Sequence, residues 1–165
     1  MMAGWSDFTV VSGGAAAALV GLLFVAVTLR IDVIARAPDL RSRAAQTLTL
    51  FVLALMVAIV LTVPGQPGWV LGAEVLTIAI VGGAVMLTMN RRALNVSQPN
   101  PIARVLDKFG PNGTTIVLIG VAGILMICKV SWGIYLLVPA ELAALVGGVL
   151  SAWLFLTSSS DATKG

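Results

Sequence analysis

Apolar residues fill five long stretches of the chain, and polar residues are gathered in the connections between them. The stretches cover residues 8–29, 44–63, 70–89, 114–132 and 139–157. A helix needs about 20 mostly apolar residues to cross the hydrocarbon core of a bilayer, which is about 30 Å thick. The pattern therefore predicts one all-α domain over residues 1–165, an integral membrane helical bundle of five transmembrane helices. The alternative is a bundle of four spans in which the fourth or fifth segment is re-entrant.

Basic residues divide the connections into two kinds. Nine of the ten lysines and arginines lie in residues 30–43, in residues 90–113 or in the C-terminal tail, whereas residues 64–69 and 133–137 carry no charge. Positively charged connections stay on the cytoplasmic side of a membrane. We therefore expect the N-terminus outside, the C-terminus inside, and cytoplasmic connections at 30–43 and 90–113. This topology predicts a multi-pass protein of the bacterial plasma (inner) membrane.

The two basic connections predict a positively charged cytoplasmic surface. Its residues are Arg36, Arg41, Arg43, Arg91, Arg92, Arg104 and Lys108. The first connection is expected to be helical, with Pro38 in the first turn of the second span. In the second connection, residues 102–109 have the spacing of a short amphipathic helix. The charges have two interpretations: they only set the topology, or they form a docking surface for a cytoplasmic partner or anionic lipid.

Small residues recur at helical spacing within the first span, and similar residues occur in the third and fifth. Gly13, Ala17 and Gly21 are separated by four residues each, as are Gly14 and Ala18. Small residues let two helix backbones approach closely, and dispersion then holds the helices together. The residues predicted to pack helices are Gly13, Gly14, Ala17, Ala18, Gly21, Gly82, Gly83, Gly147 and Gly148. The pattern leaves open whether this packing occurs within one chain or in a homo-oligomer.

Three ionisable residues fall inside the apolar segments, namely Glu74, Lys129 and Glu141. A charge at the centre of a bilayer costs at least about 2.5–3.5 kcal/mol, so such residues are candidates for function. All three lie near the predicted outer boundary, where Lys129 can pair with either glutamate. One interpretation is an outward-facing polar pocket for a cation, a proton or a small polar solute. The other is structural, with Lys129 extending to the headgroups and Glu141 stabilised at a helix N-terminus.

Composition and motifs limit the remaining chemistry. The chain is 59% hydrophobic and 10% charged, with a mean hydropathy of +1.04, which excludes an ordinary soluble protein. It has no histidine and one cysteine, so zinc, haem and disulfide sites are not indicated. Nucleotide-binding and nucleophile-elbow motifs are missing. We therefore expect no enzyme activity, no metal and no cofactor, and, since topology explains the charge, no nucleic-acid partner.

The first span also carries a family resemblance. The run of residues 13–29, preceded by Trp5 and Phe8, resembles a family of small multi-span bacterial (actinobacterial-type) membrane proteins of unassigned function. Some of these proteins are labelled automatically as modulators of a membrane-bound protease. On sequence alone we favour an accessory, regulatory or scaffold subunit without catalytic activity, whose partners are the lipid bilayer and a protein partner or a second copy. The alternative is a small channel or transporter that uses the outward-facing pocket.

Overall fold

The computed structural model describes residues 5–29, 31–36, 38–94 and 111–161, and all regular structure within these ranges is helical. The helices are α1 (Ser6–Leu29), α2 (Ile31–Arg36), α3 (Pro38–Thr62), α4 (Gly68–Leu94), α5 (Pro111–Ile127) and α6 (Leu137–Asp161), with a short 3₁₀ helix at Gly133–Leu136 before α6. The predicted all-α helical bundle is confirmed in this coarse form.

Four of the described helical stretches are long and apolar enough to cross a membrane. They are Ser6–Leu29, Arg41–Thr62, Gly68–Met89 and Gly133–Trp153, whereas the apolar stretch Gly113–Ile127 is shorter. The helical prediction for the first connection is also confirmed, because α2 occupies part of it and Pro38 is the first residue of α3. At that position the missing N–H of proline removes no helical hydrogen bond.

Helices α3, α4, α5 and α6 form a closed ring in which each helix packs against its two neighbours. The apolar core of the ring lies towards the end where α4 and α6 begin. Its buried residues are Val57, Leu61, Leu71, Val75, Ala79, Ile119, Ala122, Met126, Leu137 and Ala140. Helix α1 lies outside the ring, packed mainly against α3 and to a smaller extent against α6. Only 17% of the residues in its apolar stretch are buried, which is the lowest share among the four long helices.

Helices α4 and α5 are in direct backbone contact. A Cβ atom built on Gly72 would lie 2.8 Å from the backbone nitrogen of Ile127 and 2.9 Å from the carbonyl oxygen of Gly123. Farther along the pair, Gly83 of α4 faces Ile116 of α5. The two helices are therefore antiparallel, and glycine is required where their backbones touch.

The fourth predicted span, 114–132, is wrong at its C-terminal end, because α5 stops at Ile127. The amide of Val130 donates to the carbonyl of Leu125 (2.9 Å), and the amide of Lys129 donates to that of Met126 (3.1 Å). Lys129 has a φ of 59°, in the left-handed region. These bonds form a Schellman motif, which closes a helix and usually has glycine at the left-handed position. At a rise of 1.5 Å per residue, the 17 residues of α5 extend about 26 Å.

Candidate functional site

Glu141 is the most unusual side chain in the described part of the bundle. It lies in the second turn of α6 and is only 3% exposed. Neither of its carboxylate oxygens has a hydrogen-bond partner among the described residues. A buried carboxylate without a donor costs several kcal/mol of stability unless a proton, a cation or another donor compensates it. Packing alone therefore does not explain why a glutamate occupies this position.

The neighbourhood of Glu141 follows from the register of three helices. Ala16 of α1, Ala54 of α3 and Ala144 of α6 form one buried cluster. Ser12 precedes Ala16 by four residues, and Glu141 precedes Ala144 by three. Residues three or four apart lie on the same face of a helix, about one turn from each other. Both polar residues are therefore displaced from the alanine cluster by about one turn towards the beginnings of their helices.

A second contact fixes the relative direction of α1 and α6. The ring of Trp5, just before α1, meets the ring of Tyr135, just before α6, edge to face with 5.4 Å between centroids. Since the beginnings of the two helices meet, and their next contact is at the alanine cluster, α1 and α6 run in the same direction. Ser12 and Glu141 therefore lie in one layer, between an aromatic contact and an alanine contact.

Like Glu141, Ser12 is buried and has no hydrogen-bond partner for its side-chain oxygen among the described residues. It is 5% exposed. Thr9, one turn earlier on α1, is also buried, but its hydroxyl donates to the carbonyl oxygen of Ser6 at 2.8 Å. The layer therefore contains three unpartnered oxygen atoms, one from Ser12 and two from Glu141, on helices that lie next to each other.

Glu74, by contrast, has a local partner. Its Oε2 accepts a hydrogen bond of 2.8 Å from Nε2 of Gln66, which lies in the connection between α3 and α4. That connection turns at Gly65, whose φ of 75° lies in the left-handed region that glycine adopts without strain. The side chain of Glu74 is half-buried. This carboxylate stabilises the turn and is separate from the layer of Ser12 and Glu141.

The three ionisable residues of the predicted pocket are not brought together. Lys129 is exposed at the end of α5, Glu74 is bonded to Gln66, and Glu141 is enclosed in the bundle. No ion pair joins Lys129 to either glutamate in this described part of the chain. Sequence reasoning identified Glu141 but missed Ser12, because a serine in an apolar helix is common and only its burial marks it.

The predicted packing residues fall into two groups. Gly82, Gly147 and Gly148 are buried, and Gly13 and Gly83 are half-buried; Gly13 faces Ala58 of α3. Exposed residues of α1 are Gly14, Ala17, Ala18 and Gly21. This second group does not pack against another helix of the chain, because α1 uses one face only, so packing of these residues between copies stays a prediction. Sequence reasoning missed Gly72 and Gly123, although Gly72 follows Gly68 at the same four-residue spacing.

The predicted cytoplasmic basic surface is described only in part. Arg41 and Arg43 are exposed in the first turns of α3. Arg36 ends α2, and Arg91 and Arg92 lie in the last turns of α4. Arg104 and Lys108, with the amphipathic helix predicted over 102–109, lie outside the described residues.

Metal-binding chemistry has little support in the residues that the structure describes. They include no group of three or more histidine, cysteine, aspartate or glutamate side chains placed to hold a metal ion, and Cys128 is a free, exposed thiol. The candidate site is therefore the oxygen layer of Ser12 and Glu141. No protein family, curated protein or solved structure was found that matches this chain.

Proposed function

We propose that the protein crosses the bacterial plasma membrane five times, with its N-terminus outside. The position of α5 supports a fifth crossing, because its contacts with α4 extend from Gly72 opposite Gly123 to Gly83 opposite Ile116. A helix that returns along its neighbour in this way leads the chain back towards the other end of the bundle. The distribution of arginine and lysine supports the orientation.

Thiol labelling tests this topology. In a Cys128→Ala background, Gln66→Cys lies in the connection between α3 and α4, and Ser42→Cys lies near the beginning of α3. A membrane-impermeant thiol reagent added to intact cells should label Gln66→Cys alone. Labelling of Ser42→Cys with no reaction at Gln66→Cys would contradict the orientation.

Within this topology we propose that the protein is a small transporter that moves protons, with Glu141 as the group that takes up and releases each proton. The observation that carries the proposal is a carboxylate buried among helices without a donor for either oxygen. Ionisable residues inside membrane bundles mark ion pathways and proton relays. Three unpartnered oxygens fall short of the six or more that calcium or magnesium requires, whereas a proton requires only the carboxylate.

Flux measurements in liposomes test the transport proposal. Purified protein is reconstituted with a pH-sensitive dye inside the vesicles, and a potassium gradient with valinomycin provides the driving potential. Wild-type protein should acidify the lumen, and Glu141→Gln should reduce the rate to that of protein-free liposomes. Glu74→Gln is the matched control, since it removes a carboxylate that already has a partner in Gln66. Equal rates for wild type and Glu141→Gln would refute the proposal.

An accessory or regulatory subunit is the second candidate, and the low burial of α1 favours it. A smaller share of its apolar stretch is buried than in the other three long helices, and large side chains such as Val11 and Phe24 are exposed. A protein partner or a second copy of the chain is then expected on the free face of α1. Purification in a mild detergent followed by mass measurement should return a stoichiometric complex. A monomer of 17.0 kDa with its lipids would exclude this role.

A further inference from the structure

An open cavity of about 320 Å³ lies where α4 begins and α5 ends. Aromatic side chains of Trp5, Trp69 and Tyr135 line it together with Lys129 and Ser131. The remaining lining is mainly apolar and includes Met126, Val130 and Ile134. The cavity adjoins the layer of Ser12 and Glu141 at the contact between Trp5 and Tyr135, but neither Ser12 nor Glu141 lines it.

The backbone places Lys129 at this cavity with little freedom. The Schellman hydrogen bonds hold residues 129 and 130 against the last turn of α5, and Lys129 has a left-handed backbone, which is unfavourable for a residue other than glycine. Its ammonium group forms no ion pair in the described ranges. The cavity therefore presents an unpaired lysine on a fixed backbone, beside side chains that can donate hydrogen bonds from a hydroxyl or an indole N–H.

We infer that this cavity binds the headgroup of an anionic phospholipid. Lys129 would contact the phosphodiester, Ser131 and the aromatic donors would bind its oxygens, and the first acyl methylenes would lie against Met126 and Val130. The charge of Lys129 complements the phosphate, and tryptophan and tyrosine rings favour the headgroup level of a membrane. A free phosphate ion would use the lysine but would gain nothing from the apolar part of the lining.

Lipid retention by the full-length protein tests the inference. The protein is exchanged into detergent and titrated with phosphatidylglycerol, phosphatidylcholine or inorganic phosphate, and bound molecules are counted by native mass spectrometry. Wild type should bind phosphatidylglycerol more tightly than phosphatidylcholine. Lys129→Gln should weaken phosphatidylglycerol binding about fivefold or more, since a basic residue near an anionic surface contributes about 1 kcal/mol.

Two further variants keep the result interpretable. Lys129→Arg keeps the positive charge at the same position and should leave the affinity close to that of wild type, whereas Trp69→Leu should weaken binding. Retention of the wild-type unfolding temperature in lipid-free detergent shows that each variant is folded. Equal affinities of Lys129→Gln and Lys129→Arg for phosphatidylglycerol would overturn the inference. So would displacement of the lipid by inorganic phosphate at similar concentrations, which would indicate a site for soluble anions.

Discussion

The contact between α4 and α5 predicts a large effect from the smallest possible substitution. In Gly123→Ala the new Cβ would lie 2.8 Å from the backbone nitrogen of Leu76 and 2.9 Å from the carbonyl oxygen of Gly72. Ordinary van der Waals contact begins at 3.4 Å, so the helices must separate by about 0.6 Å, which is 3.4 minus 2.8. Both neighbouring atoms belong to the backbone, and no side chain can rotate to relieve the overlap.

The expected cost follows from that separation. Overpacking by one methyl group costs about 1–3 kcal/mol, and a gap of 0.5–1 Å removes a quarter to a half of a dispersion contact. We therefore expect Gly123→Ala to lower the free energy of unfolding by about 2 kcal/mol. Gly72→Ala should have a similar effect, because its Cβ meets the same backbone from the other side. The double variant should lower the free energy of unfolding by less than the sum of the two single effects, since one separation of the helices accommodates both methyl groups.

Unfolding in mixed micelles provides the measurement. The protein is titrated with sodium dodecyl sulfate, and tryptophan fluorescence follows the loss of tertiary contacts. Gly21→Ala is the matched control, because a Cβ at that position on α1 meets nothing within 4 Å. The midpoint of its unfolding transition should equal that of wild type or exceed it slightly, because alanine is more favourable than glycine in a helix. An unchanged midpoint for Gly123→Ala would refute the proposed backbone contact.

Three other substitutions test separate features in the same titration. Glu141→Leu should raise the free energy of unfolding by about 1–3 kcal/mol, because it removes a buried acceptor without partners; a decrease would reveal a structural partner for the carboxylate. Lys129→Gly should raise it by about 0.5–1 kcal/mol by relieving the left-handed backbone, while weakening lipid binding. Gly148→Ala should lower it by about 1–3 kcal/mol, because its Cβ overlaps the ring of Phe51, and Phe51→Leu should recover part of the loss.

The positions of the four long apolar helices are predictable from this sequence, because a helix that crosses a bilayer needs about 20 mostly apolar residues. The face that each helix packs against its neighbours is not predictable, for a physical reason. In a water-soluble protein polar residues mark the outer face of each helix, but lipid is as apolar as the protein core. Gly13 and Gly14 are adjacent and equally small, yet only Gly13 faces a neighbouring helix. Spacing identified a small-residue stripe on α1 without indicating which part of it is covered.

The end of α5 was unpredictable for a related reason. A glycine at position 129 would have indicated a helix end, but the left-handed position holds lysine, and apolar residues continue beyond it to Trp132. Because the helix ends early, Lys129 lies exposed beyond α5, whereas Glu141 is buried in α6. Sequence reasoning therefore found the ionisable residues but not their different surroundings.

The position of Glu141 relates the contact between α1 and α6 to the transport proposal. The buried residues of α1 are Thr9, Ser12, Ala16 and Leu23, and this helix packs mainly against α3 and much less against α6. The ring of α3 to α6 includes the backbone contact of Gly72 with Gly123. A shift of α1 along α3 and away from α6 would therefore uncover the Ser12–Glu141 layer without opening the ring. A partner bound to the exposed face of α1 would change the cost of that shift, so the two proposed functions, accessory binding and proton transport, would depend on the same helix.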